Sequence, residues 1–391
     1  MFGIAWGVGS LLLLVGLGEG FRTGNQKQLA ELGEDVMFIW SGRVPAVEGN
    51  FNGLRQYYLN YKDYLDIKNE CNEVRAAAAV ISRSDIHAVS DFQSSSGQVM
   101  GVPPNYNQIR YLPLSQGRWL NDDDLAQRHN VIVLGDEARR LLFMGQPPVG
   151  ATILLNGNSF QVIGTLQRIG HGDNNSINMR MFVPFTSMQA LFPLQNVGEQ
   201  KDAISFINYQ PRIRGQHELA KLQVHKIIAR NHHFDWQNKD AFDEWDTIKN
   251  SEMVGKIFDA MDMFLGSVGL VTLALGAIGI INIMLVAVSE RTKEIGLRKA
   301  LGATNRSVLL QFFFEGAFLT LFSGGMGVAA AAALMAALGT LPSPPGFDTP
   351  KLVPSSAALA IGALAIAGII AGLYPARRAA LLQPVEALRQ E

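Results

Sequence analysis

The sequence predicts a membrane α-helical protein with four transmembrane helices and a large α+β extracytoplasmic domain inserted between the first and second. Two observations carry this. Residues 1–18, 263–289, 316–347 and 352–376 contain no charged side chain. A bilayer crossing takes about 20 mostly apolar residues, because the hydrocarbon core is roughly 30 Å thick and a helix rises about 1.5 Å per residue. The second observation is asymmetry: charge is dense from residue 19 to 262 and sparse after it.

The expected order follows the chain. A first transmembrane helix covers 1–19, and the extracytoplasmic domain covers 20–262. The second helix covers 263–289 and a cytoplasmic loop 290–307. The third helix covers 308–341, a short outer loop 342–353, the fourth helix 354–375 and a cytoplasmic tail 376–391. The first span is the shortest. A signal peptide would show basic residues ahead of the apolar run and a small-residue cleavage site. Nothing positive precedes this run, and GLGEGF is a poor cleavage site. It therefore reads as a transmembrane helix whose cytoplasmic lead-in is missing.

The domain at 20–262 mixes signals. Residues 20–33 read as a helix leaving the first span, stopped at Gly33. Residues 239–262 place Phe242, Trp245, Ile248, Ile257, Phe258 and Met261 near helical spacing, and with the first helix they would form a stalk. Between them, VMFIW and VIVLG have strand length, and Asn156-Gly157 between β-rich stretches predicts a hairpin. DEARRLLF and HELAKLQVHKIIARN are helical in composition, so the domain is α+β.

Chemistry is sparse. His171 with Asp173, and the pair His232-His233, lack carboxylate or cysteine partners at ligand spacing, so no metal is expected. Cys71 is the single cysteine and forms no internal disulfide. The formal net charge is −1, which offers no bulk attraction for nucleic acid. Glu315 is the one ionisable residue inside a span, near its inner end, and is expected to meet a loop cation or the membrane interface. An intramembrane enzyme would need several polar residues at depth. Small residues such as Gly276, Gly279, Gly324, Gly325 and Gly327 favour close helix packing over a polar pore.

The stretch SERTKEIGLRKALGATNRS, 289–307, holds Arg291, Lys293, Arg298, Lys299 and Arg306. The C-terminal tail adds Arg377, Arg378 and Arg389, while the turn between the last two spans carries only Lys351. Lys and Arg accumulate in cytoplasmic loops, which places 289–307 and both termini inside and the large domain outside. Ile295, Leu297, Ala300 and Leu301 alternate with charges at helical spacing, bracketed by Gly296 and Gly302. A short amphipathic helix is expected there, more than an orientation signal requires.

SERTKEIGLRKALGA, then FFFEGAFLTLFSGGMG, and the ending YPARRAALLQPVEALRQE resemble the signatures of FtsX-like ABC transporter permeases. LPLSQGRWLNDDDL, VIVLGDEARRLLF, VGATILLNGNSFQVIGTL and MFVPFTSMQALF are similar to the periplasmic core domain of macrolide-exporter-type (MacB-type) permeases. The resemblance implies a multi-pass protein of the bacterial inner membrane, a non-catalytic permease serving efflux or substrate extraction. It implies a dimer with a second copy or a paralogue, an ABC ATPase subunit, and a periplasmic adaptor as a further candidate partner. Membrane lipid surrounds the spans. It also implies that Glu290, Arg291, Glu294, Ile295, Gly296, Arg298, Lys299, Gly302 and Ala303 form a coupling helix seated on the ATPase, with Glu315 at the membrane interface. The sequence contains no G-x-x-x-x-G-K-[ST] phosphate loop, so the chain is expected to bind no cofactor, with ATP on the partner. The alternative is a signalling or scaffold protein of the same fold that regulates an extracytoplasmic partner such as a cell-wall hydrolase.

Overall fold

The computed structural model describes residues 2–30, 33–47, 50–170, 177–195, 202–341, 344, 346–351 and 354–383. His171, Asp173, Ser343, Arg389 and the rest of 384–391 lie outside the described residues. The chain forms two compact units, one made of residues 1–25 with 254–391 and the other of residues 26–253.

The first unit is helical. Among the described residues, four helices contain stretches long and apolar enough to cross a membrane: Phe2–Gln28, Thr247–Glu290, Asn305–Gly339 and Ala360–Ala380. Their inward side chains form one apolar cluster that includes Ile4, Val8, Leu273, Ile280, Met284, Phe312, Met335 and Leu364. Their outward side chains are apolar as well, with Val271, Phe314, Phe318, Leu321, Ile366 and Ile370 all exposed. A helix apolar all round suits hydrocarbon on its outer face.

Glycine sets the closeness of this packing. A Cβ on Gly9 would lie 3.2 Å from the Gly327 carbonyl oxygen, and one on Gly316 would lie 3.0 Å from Gly372 Cα. A Cβ on Gly327 would collide with the Ala5 carbonyl oxygen. Small residues let backbones meet where no hydrophobic drive separates helix from lipid. At the other end of the first helix, Arg22 pairs with Asp259 at 3.2 Å, and the Asn25 amide donates to the Gly346 carbonyl at 3.2 Å.

The second unit is built on one mixed sheet of twelve strands among the described residues. From one edge it runs Phe242–Asp246, Met37–Ser41, Phe206–Pro211, Val74–Arg83, Val99–Val102, Met181–Pro184, Val131–Leu134, Asn158–Leu166, Thr152–Leu155, His87–Val89, Ser94–Ser96. The strand Leu114–Gly117 also pairs with Asn158–Leu166. The pairs Val99–Val102 with Met181–Pro184, and Val131–Leu134 with Asn158–Leu166, are parallel. The strand Val74–Arg83 is shared, pairing through residues 74–80 on one side and 81–83 on the other.

Period-2 alternation explains how both faces are covered. Met37, Ile39, Ala77, Ala79 and Ile81 enter one core with the helices Tyr61–Glu70 and His217–His232. Val36, Phe38, Ala78 and Val80 enter the other, against Tyr106, Trp119 and Phe182. The predicted hairpin is present: Leu155 pairs with Asn158, and Asn156 and Gly157 hold φ of 44° and 87°. Two positive φ values are what a two-residue type I′ turn requires. Gly33 likewise holds φ +108°, a conformation glycine adopts without strain.

One expectation fails locally. Phe242 and Trp245 are not helical; they belong to the strand Phe242–Asp246, which pairs with Met37–Ser41, and the helix begins only at Thr247. Aromatics at 242 and 245 satisfy a strand as well as a helix, and the pairing with a distant strand decides. His232, one of the histidines considered in sequence, places Nε2 2.7 Å from the Asp63 carboxylate in the core, and His233 ends its helix at φ +56°.

Candidate functional site

The segment between the second and third apolar helices forms a helix of its own, Thr292–Ala300. Its end is a tight glycine turn. The Gly302 N–H donates to the Lys299 carbonyl at 3.1 Å and the Ala303 N–H to the Arg298 carbonyl at 3.0 Å. Gly302 holds φ +102°, a conformation glycine adopts without strain. Thr304 then caps the next helix, its hydroxyl oxygen accepting from the Ser307 N–H at 3.3 Å.

The helix has two apolar sides with different fates. Ile295 is 2 % exposed and belongs to the apolar cluster of the helical unit, and Gly296 beside it is buried. Ile295, expected at the ATPase contact, has its side chain taken up by the chain's own apolar cluster. Leu297 and Leu301 point the other way, 53 % and 81 % exposed. Lys293, Leu297 and Leu301 follow at spacings of four, which places them along one face. Leu297 and Leu301 were absent from the expected contact set. Two residues along a helix turn by about 200°, so Ile295 and Leu297 had to face opposite ways.

The charges are divided between anchoring and presentation. Lys299 Nζ donates to the Ala380 carbonyl at 2.8 Å and the Leu382 carbonyl at 2.6 Å, the end of the last helix. A lysine on terminal carbonyls satisfies groups that have no partner within the helix. Arg298 donates to Gln311 Oε1 at 2.9 Å and pairs with Glu294 one turn back. Arg291 Nη1 lies 3.4 Å from Glu315 Oε1, so Glu315 meets a cation of the preceding loop. Both partners are partly exposed, so the pair fixes position more than stability. Glu290 is exposed and Ala303 partly so. The result is a short helix held on its inner side that offers two leucines among cations outward. Such a surface can seat in an apolar groove with an acidic rim.

A chain with four membrane-length helices, a mixed α/β domain and a firmly held cationic helix after the second span has the organisation of a multi-pass transport permease. Residues 1–212 match the MacB-like periplasmic core domain, and residues 266–384 match the FtsX-like permease C-terminal domain. The chain belongs to the FtsX/MacB-type ABC permeases with a periplasmic core domain.

It is 33 % identical over 393 residues to the macrolide export ATP-binding/permease protein MacB of Chlorobium luteolum, covering all of this chain and 57 % of that protein. It is 28 % identical to the uncharacterized ABC transporter permease YknZ of Bacillus subtilis, covering all of this chain and 94 % of that protein. The chain thus spans a little over half the length of the first of these relatives. The crystal structure of the periplasmic region of MacB from Actinobacillus actinomycetemcomitans aligns with 58 % of this chain and 95 % of its own, at 19 % identity and a TM-score of 0.45.

Proposed function

We propose that this ABC permease passes movement from a separate ATPase subunit to its large α/β domain, and that the helix Thr292–Ala300 receives the movement. The observation that carries the reading is the double anchoring of that helix, through Ile295 in the core and Lys299 on the Ala380 and Leu382 carbonyls. A docking element must be rigidly joined to what it moves, and an exposed leucine pair needs a partner surface. The helices Phe2–Ala30 and Thr247–Glu290 each contribute residues to both compact units, and in this reading they carry the displacement as a stalk. The Lys/Arg distribution supports a cytoplasmic helix Thr292–Ala300 and an extracytoplasmic domain.

The glycine contacts of the helical unit leave backbones touching, which favours extraction or efflux driven from the outer domain over passage between these four helices. A second permease copy or a paralogue would complete the assembly. The exposed apolar outer faces suit lipid and such a partner.

The test is reconstitution. The purified chain should hydrolyse no ATP above background, and the matching ATPase subunit should bind it and gain regulated activity. Replacing Leu297 and Leu301 together with Asp should abolish that association. Association at the parent level in this variant would sink the reading.

A further inference from the structure

His217, Glu218 and Asp246 converge in the α/β unit, although 27 residues of chain lie between the last two. His217 opens the helix His217–His232, and Asp246 directly precedes the helix Thr247–Glu290. Their ligating atoms all lie within 4.8 Å of one another. His217 and Asp246 are both more than nine-tenths buried.

The hydrogen bonds settle which atoms face inward. His217 Nδ1 lies 3.0 Å from the Arg214 carbonyl oxygen. A carbonyl can only accept, so Nδ1 carries the proton that is donated. In the neutral ring this leaves the lone pair on Nε2. That atom faces Asp246 Oδ2 at 3.6 Å and Glu218 Oε1 at 3.7 Å. Asp246 Oδ1 accepts from the Lys249 N–H at 3.0 Å, but Oδ2 is buried with no hydrogen-bond donor. The neighbouring cations are engaged elsewhere, Arg214 with Asp35 and Lys221 with Glu244. With Nε2 unprotonated, three acceptor atoms meet with no donor among them. A buried carboxylate oxygen without a partner is costly, and a cation at the centre removes the cost.

We propose that His217, Glu218 and Asp246 form a binding site for a divalent transition metal of the zinc class. Zinc takes imidazole nitrogen and carboxylate oxygen at about 2.0–2.2 Å, which sets tetrahedral ligand separations of about 3.4 Å. The two separations from Nε2 are close to that value and need only small side-chain movement. The Nδ1 bond to the Arg214 carbonyl is the outer hydrogen bond that fixes the ring of a metal-ligating histidine. Glu218 is largely in solvent, so a water can complete the set. The ion would pin the start of the helix Thr247–Glu290 to the start of the helix His217–His232.

The probe is Zn²⁺ itself, added to the purified full-length chain in detergent after chelator treatment. One zinc per chain should bind, and the melting temperature should rise with zinc concentration. Glu218→Gln changes a side chain that is 62 % exposed. It should weaken zinc affinity by about tenfold or more and move the melting shift to correspondingly higher zinc. His217→Gln should abolish stoichiometric binding, with far-UV circular dichroism checking that the chain stays folded. Cobalt substitution should give the intense visible bands of a four-coordinate site in the parent alone. Failure of the parent to take up zinc overturns the proposal. So does parent-like affinity in both Glu218→Gln and His217→Gln, which would place the metal on other histidines.

Discussion

Lys299 Nζ sits 2.8 Å from the Ala380 carbonyl oxygen, tying the short helix after the second span to the end of the last one. Sequence alone assigned this lysine to an external partner. In the folded chain its ammonium serves the chain's own carbonyls. Lys299→Met should lower the stability of the detergent-solubilised protein by about 1–2 kcal/mol, the scale of a charge-assisted hydrogen bond that is partly solvated. Thermal unfolding monitored by circular dichroism reads this, and an unchanged melting temperature would show that the contact contributes nothing.

Ile295 and Leu297 should respond oppositely to the same substitution. Ile295→Asp places a carboxylate in the apolar cluster and should cost about 3 kcal/mol or more, lowering membrane yield and melting temperature. Leu297→Asp should leave both within experimental error and act only on ATPase association. The opposite ranking in a paired yield and pull-down assay would reverse the assignment of the two faces.

Orientation can be read with single cysteines, because the native thiol is silent. Cys71 is buried, and burial pushes its thiol up to about 12, far above the range in which thiolate forms at neutral pH. An impermeant maleimide should therefore leave the parent unlabelled. Met144→Cys, on an exposed residue of the α/β domain, should label from outside intact cells. Thr304→Cys should label only after the membrane is opened. Labelling of Thr304→Cys in intact cells would invert the topology.

Asp124 should govern part of the acid limb of the domain. Burial alone would raise its pKa. The Arg118 guanidinium, bound to both its oxygens at 2.6 and 3.0 Å, the Asn121 N–H and His129 outweigh this and hold it below the ordinary 3.8. A carboxyl more acidic folded than unfolded contributes its full stability above about pH 4. That contribution is lost as pH falls through the folded value. Asp124→Asn should lower the melting temperature at pH 6 and flatten its further fall below pH 4. Equal slopes in the two proteins on a pH series would show that the pairing carries no linkage.

Helices were the most legible part of the structure, because a charge-free run of membrane length has few other solutions. The Asn156-Gly157 hairpin was legible because its turn chemistry is local. The sheet order was not, since the pairing of Phe206–Pro211 with Val74–Arg83 leaves no mark in either segment alone. The same limit misassigned Trp245, whose strand partner Phe38 is far away in sequence. Within the candidate site, the helix and its end at Gly302 could be read. Which of Ile295 and Leu297 turned inward could not, because both are apolar and only the packing of the other helices distinguishes them. The His217, Glu218 and Asp246 cluster was hidden for the same reason: its members meet through tertiary structure, not spacing.

The strand Met37–Ser41 pairs with Phe242–Asp246, the last strand of the domain. These partners stand about two hundred residues apart, and closing a loop of that length costs on the order of 5 kcal/mol of chain entropy. During synthesis the first strand leaves the ribosome long before its partner exists, so it must wait with one edge unpaired until residue 246 has been made. At roughly 5–20 residues per second that wait lasts about ten seconds or more. Biogenesis of this chain therefore contains an interval in which an apolar strand edge stands open, the interval in which a chaperone would be needed and misassembly would begin.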